Sequence, residues 1–457
     1  MPTQSRETLR SLAADLASGE TTARKLTEIC LARIADPKGE GARAFISVDT
    51  HGALLAAEAQ DTLRRANVSG SAFAGIPIAI KDLADIKGQV TRAGSIALAQ
   101  AAPAIADAPV VARLRAAGFV IIGRANMTEF AYSGLGLNPH YGMPSSPWDR
   151  ASKRVPGGSS SGSGVAVADG LAYGALGTDT GGSCRIPAAF NGVVGFKPTA
   201  RRVPTSGVVP LSTSLDSIGP LARTVDCCAI LDAVMAGEPI PAPDTSTLAG
   251  LRLLVPETVV LDGLDTHVAA DFESALARLA KAGAQILRVP YAPFDRIAPL
   301  LARGGLSAAE SSAWHRKLMA EKGARYDQRV LARIQQGTKQ SAADYIDLLA
   351  LRQAAIEHYS QSFADFDALL SPTIPIIAPR MAEVETVDNF NRINMQVLRN
   401  TLMINIFDGC SIALPMMQHG AAPTSLMISG PAMGDHRLFA IAAAVERQLS
   451  PASRSAA

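Results

Sequence analysis

The sequence predicts an α/β fold, a parallel or mixed β-sheet covered by helices. Strand-like apolar runs alternate with helical runs, as in GIPIAI (75–80), a helix at about 108–117 and FVIIG (119–123). The alternation resumes beyond a glycine- and serine-rich centre, with LRLLVP (251–256), a helix near 266–282 and QILRVP (285–290). The chain has 457 residues, 48% apolar and 18% charged, which is enough for a sizeable core.

Taken in order, Leu9, Leu12 and Leu16 and then Leu26, Ile29 and Ile34 recur at helical spacing, with Ser18-Gly19 breaking the two runs. Thr21 is the expected N-cap of the second helix. AFISVD (44–49) reads as a short strand and is followed by an alanine-rich helix over about 52–66. GIPIAI reads as a buried strand ending at Lys81-Asp82, and the helix at 108–117 stops at Gly118. Residues 305–363 are mainly helical and more charged. ALLSPTIPII (368–377), CSIALP (410–415) and SLMISG (425–430) read as strands, with a helix after the first of them and a terminal helix after Asp435. No repeat or low-complexity linker divides the chain, so one domain over 1–457 is the simplest organisation.

Composition removes several function classes. A net charge of +2 without a basic tract argues against a nucleic-acid surface. Cys30, Cys184, Cys227, Cys228 and Cys410 are odd in number and lack a repeated spacing, which fits neither a disulfide framework nor a zinc site. The first residues lack a signal-peptide pattern, and no uncharged apolar run reaches the ~18 residues of a membrane span. The expectation is a reduced, cytoplasmic protein, monomer or homodimer, without metal or cofactor and without nucleic-acid or membrane partners.

The centre offers several motif templates. GGSSSGSG (157–164) has the glycine spacing of a phosphate-binding loop, but Ser163 stands where the lysine belongs. Gly158-x-Ser160-x-Gly162 matches a nucleophile elbow, yet ASKRVP, with its charges and proline, precedes it in place of a strand. A plain flexible turn is the commoner reading of a lone run of this kind. Asp179-Thr180-Gly181 resembles half of an aspartic-protease site, but no second DTG or DSG follows, since Asp216-Ser217 leads to Ile218. Ser159 and Ser183 each follow a Gly-Gly pair, and Gly181-Gly182 can turn consecutive amides to one side as a nest for an oxyanion. For a base, His51, His140, His267, His315, His358, His419 and His436 carry no local triad signature. Lys81, at the end of an apolar strand, is the other candidate; its plain alternative is a salt bridge with Asp82 or Asp85.

GIPIAIKD, PGGSSSGSG and GTDTGGSCRIPAAFNGVVGFKPT, together with NMTEFAYSGLGLNPHYGMP and LDSIGPLART, resemble the amidase-signature family over essentially the whole chain. The resemblance implies an α/β fold with a large mixed, twisted β-sheet covered on both faces by helices, with Ser183 as nucleophile, Ser159 as a bridging serine preceded by a cis peptide bond, and Lys81 as base. It also implies an oxyanion hole from the backbone amides of Thr180, Gly181, Gly182 and Ser183, with Ala131, Tyr132 and Gly134 at the acyl pocket. By the same token about 68–225 is the catalytic core, about 1–67 a helical N-terminal part, and about 305–363 a segment near the substrate entrance. Cys184 departs from the aliphatic residue of many relatives and reads as a small buried neighbour. Arg185 reads as a structural arginine that pins the loop through carboxylate or carbonyl contacts, with Asp179 among the candidate partners.

The chemistry sets a condition on Lys81. At pH 7 only about one free lysine in 2,500 is neutral, a deficit of roughly 4.6 kcal/mol, so burial must lower its pKa by several units. The resemblance implies hydrolysis of a C–N bond in a small-molecule amide or carbamate: an aryl or alkyl amide, anilide or urethane. SPTIPIIAP (371–379) and the Met-containing helix at 395–403 suggest an apolar pocket. The competing readings are the glutaminase (A) subunit of a tRNA-dependent amidotransferase and an α/β-hydrolase-type esterase using Ser160 and a histidine.

Overall fold

The computed structural model describes residues 7–449. Its strands are β1 (Phe45–Val48), β2 (Pro77–Lys81), β3 (Val120–Ala125), β4 (Gly174–Asp179), β5 (Val194–Lys197), β6 (Ser217–Ala222), β7 (Arg252–Pro256), β8 (Gln285–Val289), β9 (Ala368–Pro372), β10 (Cys410–Pro415) and β11 (Ser425–Gly430). They form one 11-stranded sheet in the order β1-β3-β2-β4-β6-β5-β10-β11-β9-β7-β8. β2 runs parallel to β3 and β4, and β7 parallel to β8 and β9; the remaining pairs are antiparallel. The sheet is therefore mixed, one of the two forms, parallel or mixed, that the alternation leaves open.

Successive strand residues point to opposite faces. Every residue of β2, β3, β4, β5 and β6 is buried, so helices and loops cover both faces there. This explains why three central strands escape a periodicity search. GALGTD, VGFK and SIGPLA have no polar face to alternate with an apolar one, and glycines take up the close packing. A Cβ on Gly177, for example, would lie 2.6 Å from Leu221 Cδ1 and 3.0 Å from Cys184 Sγ.

Elsewhere the predicted elements shift at their ends. Thr22, not Thr21, caps the second helix (Ala23–Ala35), accepting from the Lys25 amide at 3.0 Å. The Asp61 carboxylate takes the first two helical amides, of Ala23 and Arg24, at 2.7 and 3.0 Å, which fixes where the helix begins. β2 begins at Pro77 because Gly75, at φ +95°, turns its amide to Gly118. β9 stops at Pro372. The Met-containing helix is longer than its pattern, Val387–Ile406. Residues 305–363 fold mainly into helices Gly305–Lys322, Gln328–Gln335 and Ala342–Ser362.

Candidate active site

β2 and β4 lie side by side, so their C-terminal ends bring Lys81 and Thr178 together. Lys81 is fully buried; its Nζ donates to Ser159 Oγ at 2.8 Å and to Thr178 Oγ1 at 2.7 Å. Burial pushes its pKa down to about 7, against the pull of the Asp179 and Asp216 carboxylates. The salt-bridge alternative fails: Asp82 pairs with Arg124 at 2.5 Å and Asp85 accepts from Thr91 Oγ1 at 2.7 Å. Ser159 follows a cis peptide bond, and its carbonyl accepts from the Thr128 amide at 3.0 Å.

Ser183 sits at the end of a glycine turn whose shape is set by one carboxylate. Asp179 accepts from the amides of Gly182 (2.7 Å) and Cys184 (3.0 Å), from Arg185 Nε (3.1 Å) and Nη2 (2.9 Å), and from Asn405 Nδ2 (2.9 Å). Burial works against its charge, but these donors, Arg185 first, hold the carboxyl well below the usual range. Gly182 has φ +133°, and a Cβ there would lie 2.2 Å from Thr401 Oγ1, so only glycine fits. Its amide, expected among the oxyanion donors, turns inward to Asp179. The amides of Thr180, Gly181 and Ser183 make no hydrogen bond among the described residues. The Ser183 hydroxyl likewise makes none, including to Ser159.

Two neighbouring serine and thiol candidates are packed away. Ser160 Oγ is fully buried and donates to the Thr178 carbonyl at 3.3 Å. It opens the helix Ser161–Ala168 from a loop, without the strand an elbow requires. Cys184 is fully buried, and burial raises its thiol far above the ordinary value. Among the described residues no histidine hydrogen-bonds to Ser159, Ser160 or Ser183. His315 meets Tyr326 Oη at 2.9 Å and is pushed by burial down to about 3. No group of three or more His, Cys, Asp or Glu side chains among the described residues is placed to hold a metal ion.

A cavity of about 340 Å³ opens beside Ser183. Ala131 and Tyr132 line it, with Thr180, Gly181 and Ser183. Gly134 does not. It stands behind the wall, where its amide donates to Asn394 Oδ1 at 2.8 Å and its carbonyl accepts from the Gly158 amide at 2.8 Å. The helical segment contributes Gly305, Leu306, Ser307, Arg333 and Gln336; Met395, Leu398 and Leu402 come from Val387–Ile406. SPTIPIIAP is not part of the lining: Ile374 and Ala378 pack with Ile186, Phe190 and Val397 in a separate apolar cluster. Thr178 and Asp216 lie inside GTDTGGS and LDSIGPLART but received no role from the sequence, and Arg333 lies in no motif at all. Thr180 Oγ1 donates to Asp216 at 2.5 Å, and burial pushes that carboxyl up to about 6.

Known proteins of similar sequence and structure identify the family. The model of the family described as Amidase matches residues 25–439. A 2-amino-5-chloromuconic acid deaminase of Comamonas testosteroni is 38% identical over 442 residues, covering 95% of this chain and 94% of that protein. A glutamyl-tRNA(Gln) amidotransferase subunit of Myxococcus xanthus (strain DK1622) is 36% identical over 488 residues, covering 98% of each. Among solved structures, an amidase superposes with a TM-score of 0.88 at 31% identity, over 97% of this chain and 100% of that one. The peptide amidase of Stenotrophomonas maltophilia gives 0.77 at 29%, over 98% of both. The chain belongs to the amidase family and is a hydrolase acting on carbon–nitrogen bonds.

Proposed function

We propose that Ser183, Ser159 and Lys81 carry out the C–N bond hydrolysis of this amidase on a small amide or carbamate. The observation that carries this reading is the fully buried Lys81 ammonium, 2.8 Å from Ser159 Oγ and with its pKa brought down to about 7. At pH 7 about half of such a lysine is neutral and able to accept a proton. Rotation of the Ser183 side chain closes the relay. Its hydroxyl proton passes to Ser159 while that of Ser159 passes to Lys81, and Ser183 Oγ attacks the carbonyl carbon. The oxyanion meets the amides of Thr180, Gly181 and Ser183. Collapse breaks the C–N bond, and the proton returns through Ser159 to the leaving nitrogen. Water then releases the acyl group from Ser183.

The amidotransferase reading has its own support in the relative from Myxococcus xanthus. The deaminase from Comamonas testosteroni supports a free enzyme acting on a small acid. The five cysteines are all buried and unpaired, which suits a cytoplasmic location. Initial rates on an anilide, a primary amide, a carbamate and an ester, for the parent and Ser183→Ala, test the reading. Cleavage of an amide or carbamate by the parent alone supports it. Equal activity of the variant sinks the assignment of Ser183, and silence of the parent on the whole panel favours the amidotransferase reading.

A further inference from the structure

Two adjacent residues, Asp216 and Ser217, grip the peptide unit that carries the Thr180 amide. The carbonyl of that unit belongs to Asp179 and accepts from Ser217 Oγ at 2.9 Å and from Asn405 Nδ2 at 3.1 Å. The bond is trans, so its N–H points away from its C=O, and fixing the carbonyl aims the Thr180 amide. Asp216 takes the Thr180 hydroxyl at 2.5 Å on one carboxylate oxygen. Its other oxygen accepts from the amides of Leu211 (2.9 Å) and Ser212 (3.1 Å).

Ser212 carries the connection outward. Its hydroxyl donates to Glu310, which also takes the Ser214 hydroxyl, the Ser214 amide at 3.0 Å and the Tyr345 hydroxyl at 2.8 Å. Among the described residues neither carboxylate pairs with a lysine or arginine, so both act as clamps on the loop at 211–216. Glu310 stands one turn beyond Leu306 on the helix Gly305–Lys322. Leu306, with Leu211 and Leu215 of the clamped loop, lines the cavity beside Ser183. The wall that an acyl chain presses on and the amide that meets the oxyanion therefore hang on one hydrogen-bonded chain.

We propose that the chain Glu310–Ser212–Asp216 positions the oxyanion amide of Thr180 in response to what fills the cavity, so that apolar acyl chains reaching Leu211, Leu215 and Leu306 are selected through the rate of acylation. This rests on the reading of Ser183 as nucleophile and deepens it. Asp216 and Glu310 are positioning residues, and neither lines the cavity beside Ser183. An acyl chain packed against the three leucines holds helix and loop together and keeps the clamp in register. Binding energy from a remote part of a substrate then appears in kcat instead of KM. The rate is a sensitive readout, because one oxyanion donor is worth about 10²–10³ in kcat.

The test is single-turnover acylation by p-nitrophenyl acetate, butyrate and hexanoate, which share a leaving group and differ in acyl length. In the parent the limiting rate should rise about tenfold from acetyl to hexanoyl, while the half-saturating concentration moves less than about threefold. Glu310→Ala should bring the hexanoyl-to-acetyl rate ratio close to one, and Glu310→Gln, which keeps one acceptor oxygen, should retain part of it. Thr180→Val keeps the amide and loses the hydroxyl, so it should flatten the series in the same way, and Thr180→Ser should restore it. Thermal melts check that these variants fold. A parent rate that ignores chain length overturns the coupling, as does a ratio that Glu310→Ala and Thr180→Val leave intact, or a loss confined to half-saturation. Ser183→Ala releasing p-nitrophenol at the parent's rate, or a parent silent on every ester, removes the Ser183 reading and the coupling with it.

Discussion

Lys81 Nζ and Thr178 Oγ1 are 2.7 Å apart, on the adjacent ends of two parallel strands. A neutral lysine has one lone pair and two N–H bonds. The hydroxyl of Thr178 takes one of those bonds and so turns the lone pair toward Ser159. Thr178→Val keeps the shape and removes the acceptor. It should lower kcat about 10–100-fold with little change in KM, since the loss falls on proton transfer. Because the hydroxyl favours the charged lysine, the acid limb of the pH profile should also move to lower pH. A change confined to KM would show that Thr178 acts on binding instead.

The parent's own pH profile follows from the same lysine. With a pKa of about 7, Lys81 is mostly charged below that value, so kcat/KM should fall about tenfold per pH unit below it and level off above. Initial rates between pH 5 and 9 read this directly. A flat profile across that range would mean that Lys81 is not the base.

Asp179 and Arg185 form a fully buried pair beneath the glycine turn that carries Ser183. Removing one partner leaves the other charge buried, at a cost of about 3–5 kcal/mol. Arg185→Met should therefore shift the urea midpoint sharply, and Asp179→Asn in the same chain should restore part of the loss. If Arg185→Met costs under about 1 kcal/mol, the turn is held by Asn405 and the two amides alone.

Glu129 joins the cavity wall to the helical segment. It accepts from Ser95 Oγ at 2.6 Å and from the Asp327 amide at 2.6 Å, and it meets His140 Nε2 at 3.0 Å. Burial pushes its carboxyl up to about 7 from an ordinary 4.5. Between those values the folded chain holds a proton that the unfolded chain has lost. The resulting stability, on the order of 3 kcal/mol, is fully present below pH 4.5 and is lost as pH rises through 7. Glu129→Gln, which cannot ionise, should lose less stability than the parent between pH 5 and 8. Urea midpoints at the two pH values decide it; parallel losses would remove Glu129 as the source.

The sequence by itself determined the alternating α/β architecture, because the outer helices and several strands carry an apolar period or an unbroken apolar run. It also raised Lys81, Ser159 and Ser183 as candidates, because glycine-rich turns and a charge at an apolar strand end stand out against their neighbours, and the family resemblance of those motifs gave them their roles. Tertiary structure alone decided the rest. β4, β5 and β6 are covered on both faces, so their sequences lose the alternation that announces a strand. Thr178 acquires its place from the pairing of β2 with β4, and Gly134 is drawn behind the wall by Asn394. Arg333 looks like any arginine on a charged helix. Only packing takes it away from a carboxylate and sets it against Tyr132, in the cavity of a serine far from it in the chain.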